Sequence, residues 1–229
     1  MINLSCKVLN DADSVAIEAA RIIAAHAREA VAARGRFILA VSGGRTPWQM
    51  LRVLANEEVP WAALHVVQVD ERLAPPGDAD RNLTHLRESL ISHTSLPSHQ
   101  IYAMPVEAGD SAAAKYANTL EQIAGMPPVL DLVHLGLGAD GHTASLIPGD
   151  PVLAVMNRDV ALTGIYQNRN RLTLTYPIIN RARRILWVVT GGEKAEMLGR
   201  LCAGDSSIPA GLICRDFASV LADQAAAGR

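Results

Sequence analysis

Apolar runs and amphipathic stretches alternate along this chain. Residues 14–33, SVAIEAARIIAAHAREAVAA, carry apolar positions three and four apart, which predicts a helix capped by Asp11, Asp13 or Ser14. RFILAVSGG reads as a buried strand ending in glycines, and PWQMLRVLA as a helix opened by Pro47, where the missing N–H is least costly. LHVVQVDER predicts a second strand, residues 82–92 a helix, QIYAM a short strand and residues 110–124 another helix. VLDLVHLGLG and ILWVVTGG are two further buried strands, the latter followed by the helix EKAEMLGRLC. DVALTGI and RLTLTYP predict an antiparallel pair set apart as a small flap, and the tail IPAGLICRDFASVLADQAAAGR is expected to pack as a helix.

Four apolar runs separated by helices predict a parallel sheet covered on both faces, within a single α/β domain spanning residues 1–229. No internal repeat or low-complexity linker divides the chain. Composition supports this, with 49% hydrophobic and 19% charged residues. Aromatic residues make up only 4%, so aliphatic side chains must fill the core. A balance of 21 basic against 23 acidic residues, net −2, with no basic stripe, points away from nucleic acid and membrane partners. No apolar run reaches the roughly 18 residues of a membrane span, and MINLSCKVLNDADS lacks the pattern of a signal peptide. Cys6, Cys202 and Cys214 have no metal-ligand spacing, so they read as small hydrophobes in a reducing cytoplasm.

In an open parallel sheet, ligands bind beyond the carboxyl ends of the strands. Four such ends carry SGGRTP, DERLAP, GADGH and TGGEK. Gly43 and Gly44 let the backbone approach a ligand closely, and the helix opening at Arg45 and Thr46 offers free N–H groups to an anion such as phosphate. The run is not a Walker loop, which requires a following Lys-Ser/Thr. Asp70 and Arg72 close the second strand, where Arg72 suits an anion or developing oxyanion and Asp70 a hydroxyl or water; the alternative is a solvated ion pair. Lys194 stands in a first helical turn, against the helix dipole, a position that a bound anion would favour.

Within LGLGADGHTASLIP, residues 135–148, the spacing GxGxxG suggests a dinucleotide turn, but Pro148-Gly149-Asp150-Pro151 leaves no room for the crossover helix such a turn requires. His142 sits just past the strand end beside Asp140, a pairing suited to general base catalysis with an oriented imidazole; a histidine capping a short helix is the plainer alternative.

Together, SGGRTP, DERLAP followed by Asn82, GLGADGHTASLIP, RLTLT and GGEKAEML resemble the 6-phosphogluconolactonase family in order and approximate spacing, over nearly the whole chain. The resemblance implies a modified Rossmann-like fold of the glucosamine-6-phosphate deaminase type and hydrolysis of 6-phospho-D-glucono-1,5-lactone, without metal or cofactor. It implies His142 as the base, Asp140 as its orienter, Arg72 and Asp70 at the sugar and carbonyl side, and Gly43, Gly44, Arg45, Thr46, Arg171 and Lys194 at the phosphate. The related deaminases follow the histidine with IAFNEP, whose glutamate serves ring opening; here Ile147 stands at that place. An isomerase or deaminase, or a non-catalytic sugar-phosphate sensor, are the rival readings. The family often has serine or threonine at Arg45, phenylalanine at Ile147, and prolines where this chain has YQNRN, which leaves open whether Arg169 or Arg171 meets the phosphate. Oligomeric state, monomer or dimer, is not legible.

Overall fold

The computed structural model describes residues 4–229; Met1 to Asn3, at the head of the stretch read as lacking a leader, lie outside it. In chain order the elements are β1 (Ser5–Leu9), α1 (Ala12–Arg34), β2 (Phe37–Val41), α2 (Arg45–Leu54), β3 (Leu64–Gln68), β4 (Asp70–Arg72), α3 (Asn82–Ser89), β5 (Ile101–Tyr102), α4 (Ala112–Ala124), β6 (Leu132–Leu135), β7 (Val160–Leu162), β8 (Arg171–Leu174), α5 (Tyr176–Asn180), β9 (Ile185–Val189), α6 (Ala195–Ala203) and β10 (Ala218–Asp223). Seven strands form one parallel sheet in the order β1-β10-β9-β6-β2-β3-β5, and β4-β8-β7 form a separate antiparallel sheet. No described helix is long and apolar enough to cross a membrane.

The long first helix follows from its ends and its small residues. Asp11 caps it by accepting from the Ser14 N–H at 2.7 Å, and Gly35 ends it in the left-handed region at φ 74°. Ala16, Ala19, Ala20, Ala24, Ala27 and Ala30 form its buried stripe, which lets the helix lie close to the sheet. With α2 and α3 it covers one face of the sheet; α4, α5, α6 and the flap cover the other.

Three expectations are corrected. LHVVQVDER is not one strand: at Val69 the backbone leaves the parallel sheet for the flap. The Val69 N–H donates to the Val41 carbonyl at 2.9 Å, while its carbonyl accepts from Leu174 N–H at 2.8 Å, so one residue joins the two sheets. The flap therefore has three strands rather than two. The tail is not a helix but carries β10, inserted between β9 and a first strand, β1, that the hydrophobic pattern had not revealed. Alanine-rich ends favour helix locally, yet flanking strands supply backbone partners that override that preference. The cysteines are not fully buried hydrophobes either, although Cys202 packs against the core. Cys6 is exposed, Cys202 and Cys214 are partly so, and burial together with the adjoining Cys6 pushes the Cys202 thiol up to about 11.

Smaller shifts affect helix ends. The second helix starts at Arg45, two residues before Pro47, and α3 stops at Ser89. Strand order reverses between β2 and β6, whose neighbours run away on opposite sides; the loops leaving these strands diverge and open a crevice at their carboxyl ends.

Candidate active site

That crevice is a cavity of about 290 Å³ lined by residues from all four strand-end loops, among them Gly43, Gly44, Arg45, Thr46, Asp70, Arg72, His142, Arg171 and Lys194. Each sequence-derived candidate except Asp140 lies in its wall, and Asp140 reaches it through His142. Four cations, Arg45, Arg72, Arg171 and Lys194, face two carboxylates, Asp70 and Glu193, so the lining is net positive.

The loop after β2 needs its glycines for stated reasons. A Cβ on Gly43 would lie 1.9 Å from Asn82 Oδ1, and Gly44 adopts φ 128° as it opens α2 without any side-chain cap. The first N–H groups of α2 are thus left for a ligand or water. Thr46 Oγ1 and Thr190 Oγ1 are 2.6 Å apart, joining this loop to the one after β9, whose Gly191 N–H is held by Asp223 at 3.1 Å.

Beneath the loop, Ser42 N–H donates to His134 Nδ1 at 3.3 Å and Ser42 Oγ to the His134 carbonyl at 2.9 Å. His134 is fully buried, its Nε2 has no partner, and burial pushes it down to about 4. Above about pH 6.5 the ring is neutral in both folded and unfolded chains. As pH falls below that, the unfolded state gains a proton that the folded state refuses until about pH 4, so stability is lost across this window. Relative to His134→Gln, the wild type is expected to lose about 3 kcal/mol of unfolding free energy between pH 7 and 4. Urea melts of both proteins at each pH check this, and parallel losses would refute it.

Strand β4 places its three charges differently. Asp70 is buried; Oδ2 accepts from Ser145 Oγ at 2.6 Å and Oδ1 from Asn82 Nδ2 at 3.2 Å. Arg72 Nη1 donates to the Asp80 carbonyl at 2.7 Å and to Asn82 Oδ1 at 3.1 Å, holding the guanidinium at the cavity wall. Glu71, between them, points away and is wholly buried. It accepts from the N–H groups of Asn82 at 2.7 Å and Leu83 at 2.9 Å and pairs with Arg81 at 3.2 Å. Helix α3 has no cap of its own, and Glu71 supplies it. The solvated reading of this strand end does not hold.

After β6 the chain makes turns rather than a helix through residues 136–150, so His142 is not a helix cap. Asp140 Oδ1 lies 2.5 Å from His142 Nδ1 and 3.1 Å from its backbone N–H. Burial pushes the Asp140 carboxyl up, but the His142 charge and its hydrogen bonds outweigh this and hold it below the usual range. An ionised Asp140 only accepts, which puts the proton on Nδ1 and leaves Nε2 free to accept one. Gly138 leaves room for the pair, because a Cβ there would lie 2.1 Å from His142 Nδ1 and displace the ring.

The two arginines are placed differently. Arg171 lines the cavity, 4% exposed, with Nε unpartnered; burial lowers its guanidinium, opposed by Asp70. Arg169 instead pairs with Asp80 at 2.9 Å and Asp78 at 3.1 Å, away from the cavity. Asn82, Ser145, Thr190, Tyr166 and Asp223 support the site beyond the candidates named; of these, Asn82, following DERLAP, and Ser145, three residues after His142, carried a local signal. Among the described residues no three His, Cys, Asp or Glu side chains cluster as a metal site.

The profile of the glucosamine-6-phosphate isomerases/6-phosphogluconolactonase family matches residues 10–221. The chain is similar to a 6-phosphogluconolactonase of Synechocystis, 38% identical over 78% of this chain and 76% of the relative. It is also similar to one of Mycobacterium tuberculosis, 32% identical over 98% of both. Its fold is similar to that of a monomeric glucosamine-6-phosphate deaminase, with a TM-score of 0.86 at 19% identity over 98% of this chain and 99% of the other. Strand order, the cation-lined crevice at the switch point and these similarities converge: the chain belongs to the glucosamine-6-phosphate isomerase/6-phosphogluconolactonase family.

Proposed function

We propose that this protein hydrolyses 6-phospho-D-glucono-1,5-lactone to 6-phosphogluconate, with His142 as general base. The observation that carries the reading is the Asp140–His142 pair, 2.5 Å apart, at the edge of a cation-lined cavity that ends on the uncapped start of α2. His142 Nε2 takes a proton from water as its oxygen attacks the lactone carbonyl carbon. The tetrahedral oxyanion forms beside Arg72, whose charge favours it. The intermediate collapses by breaking the bond to the ring oxygen, which recovers the proton from His142, and the new carboxylic acid ionises. Asp70, immobilised by Ser145 and Asn82, suits a sugar hydroxyl.

The phosphate belongs with Gly43, Gly44, Arg45, Thr46, Arg171 and Lys194. Arg171 supports this most strongly, since a buried guanidinium without a carboxylate partner is unfavourable until an anion neutralises it. Being remote from the carbonyl, the phosphate orients the substrate rather than reacting. Against a deaminase stands Ile147, buried and apolar where the IAFNEP of the deaminases places a glutamate.

The test is a coupled assay in which glucose-6-phosphate dehydrogenase generates the lactone and 6-phosphogluconate dehydrogenase reports its hydrolysis. Acceleration over the spontaneous rate is expected. A folded protein that gives none, or that instead releases ammonia from glucosamine 6-phosphate, would overturn the proposal. In the same assay Lys194→Ala is expected to raise KM about tenfold with kcat within about twofold, the pattern of a lost charge-assisted contact made equally in ground and transition states. An unchanged KM removes Lys194 from the phosphate site.

A further inference from the structure

The tip of the flap, YQNRN at residues 166–170, is unaccounted for by the reaction as derived, although its Tyr166 touches His142 and Arg171 of the cavity wall. Tyr166 and Arg169 exchange backbone hydrogen bonds of 2.9 and 3.2 Å, closing a two-residue hairpin turn with Gln167 at φ 50° and Asn168 at φ 63°. Such a turn needs left-handed backbone at both central positions. Asparagine tolerates this; glutamine does so only at a cost of about 1 kcal/mol or more. Strain of this kind persists where the surroundings hold it, and here they do. Gln167 Oε1 accepts from Arg171 Nη2 at 3.0 Å, and Arg169 is clamped by Asp78 and Asp80 on the facing loop.

The turn delivers Tyr166 between two parts of the site. Its hydroxyl donates to Asp140 Oδ2 at 3.3 Å, the oxygen that His142 leaves free. Its ring meets the His142 ring edge-on, centroids 5.7 Å apart at 65°, and the Arg171 guanidinium lies 5.0 Å from its centroid. Burial, reinforced by Asp140, raises the Tyr166 phenol, so it stays a donor through neutral pH.

We propose that Tyr166 is a positioning residue that locks the Asp140 carboxylate against His142 and, by stacking on Arg171, couples alignment of the base to the arginine at the phosphate. The proposal rests on the lactonase reading above. With three donors fixed on it, Asp140 cannot rotate away from the imidazole. An Arg171 held by phosphate in turn fixes the Tyr166 ring.

Steady-state kinetics of wild type, Tyr166→Phe and Tyr166→Ala on the phosphorylated lactone and on unphosphorylated glucono-1,5-lactone separate the two roles. Tyr166→Phe keeps the ring and loses the hydroxyl, so kcat is expected to fall about 3- to 10-fold on both lactones with KM within about twofold, the size of one lost hydrogen bond. Tyr166→Ala is expected to show that loss and, in addition, a KM raised about threefold or more for the phosphorylated lactone alone. Equal urea midpoints for the three proteins exclude a general folding effect. If Tyr166→Phe leaves kcat within twofold, or carries its loss in KM, Tyr166 has no positioning role while the lactonase reading stands. A folded wild type that hydrolyses neither lactone overturns both.

Discussion

His142→Ala is expected to lower kcat for the phosphorylated lactone by at least about 10²-fold while KM stays within about threefold. A general base typically contributes about 10²–10⁴-fold, and a lactone is activated enough to need no covalent nucleophile. The imidazole is the one titratable ring in the cavity wall, and its Nε2 is left free by the bond from Nδ1 to Asp140. The residues proposed to hold the phosphate are untouched by the substitution, so substrate binding should survive. Asp70, one of two carboxylates in the wall, has both oxygens occupied by Ser145 and Asn82, which limits its use as a substitute base. The measurement is kcat and KM of the purified variant in the coupled assay, with circular dichroism to confirm folding. A variant retaining more than about a tenth of wild-type turnover would remove His142 from the chemistry.

The second large effect concerns stability. Glu71→Ala is expected to destabilise the protein by about 3–5 kcal/mol, the usual result of deleting one partner of a buried ion pair. Glu71 is wholly inaccessible, caps α3 through two backbone N–H groups, accepts from Gln68 Nε2 at 2.9 Å and pairs with Arg81, itself 2% exposed. Burial would lower the Arg81 guanidinium, but Glu107 and Glu71 together raise it, so the alanine leaves a buried charge with the half-exposed Glu107 as its remaining carboxylate and the Ala74 carbonyl as a neutral acceptor. Since a domain's whole stability is about 5–15 kcal/mol, the variant is expected to lie close to its unfolding threshold. Urea unfolding of Glu71→Ala and of Glu71→Ala with Arg81→Met checks the cause, because removing the stranded cation should recover part of the loss. A single variant within 1 kcal/mol of wild type would contradict the burial argument. Because α3 starts at Asn82, which holds both Asp70 and Arg72, residual folded protein should also show impaired kinetics.

These two residues mark how differently the site was legible. His142 and Asp140 are two positions apart in a loop whose glycines and strand end are local features, so spacing alone brought them together. Glu71 sits between two candidates in a run of three charges, and nothing local says that it faces the core while Asp70 and Arg72 face the cavity. That follows from β4 lying in the flap rather than the parallel sheet, a consequence of the turn at Val69. Tyr166 was visible only as an absence of prolines, since its partners lie on the loop after β6 and on β8.

By itself the sequence determined the α/β class, most of the helices, the antiparallel character of the flap and the four strand-end loops that line the cavity. Each depends on hydrophobic period, glycine and proline placement or a strand-end charge, all set by residues within one or two turns of each other. Tertiary structure alone decided the strand order that puts β2 beside β6, the insertion of β10 between β1 and β9, the placing of Arg171 and not Arg169 in the cavity wall, and the joining of Ser145 to Asp70 across 75 positions of chain. Those outcomes turn on which backbone edges and buried polar groups find partners after collapse, and such pairing carries no local signature because its partners are distant in the chain.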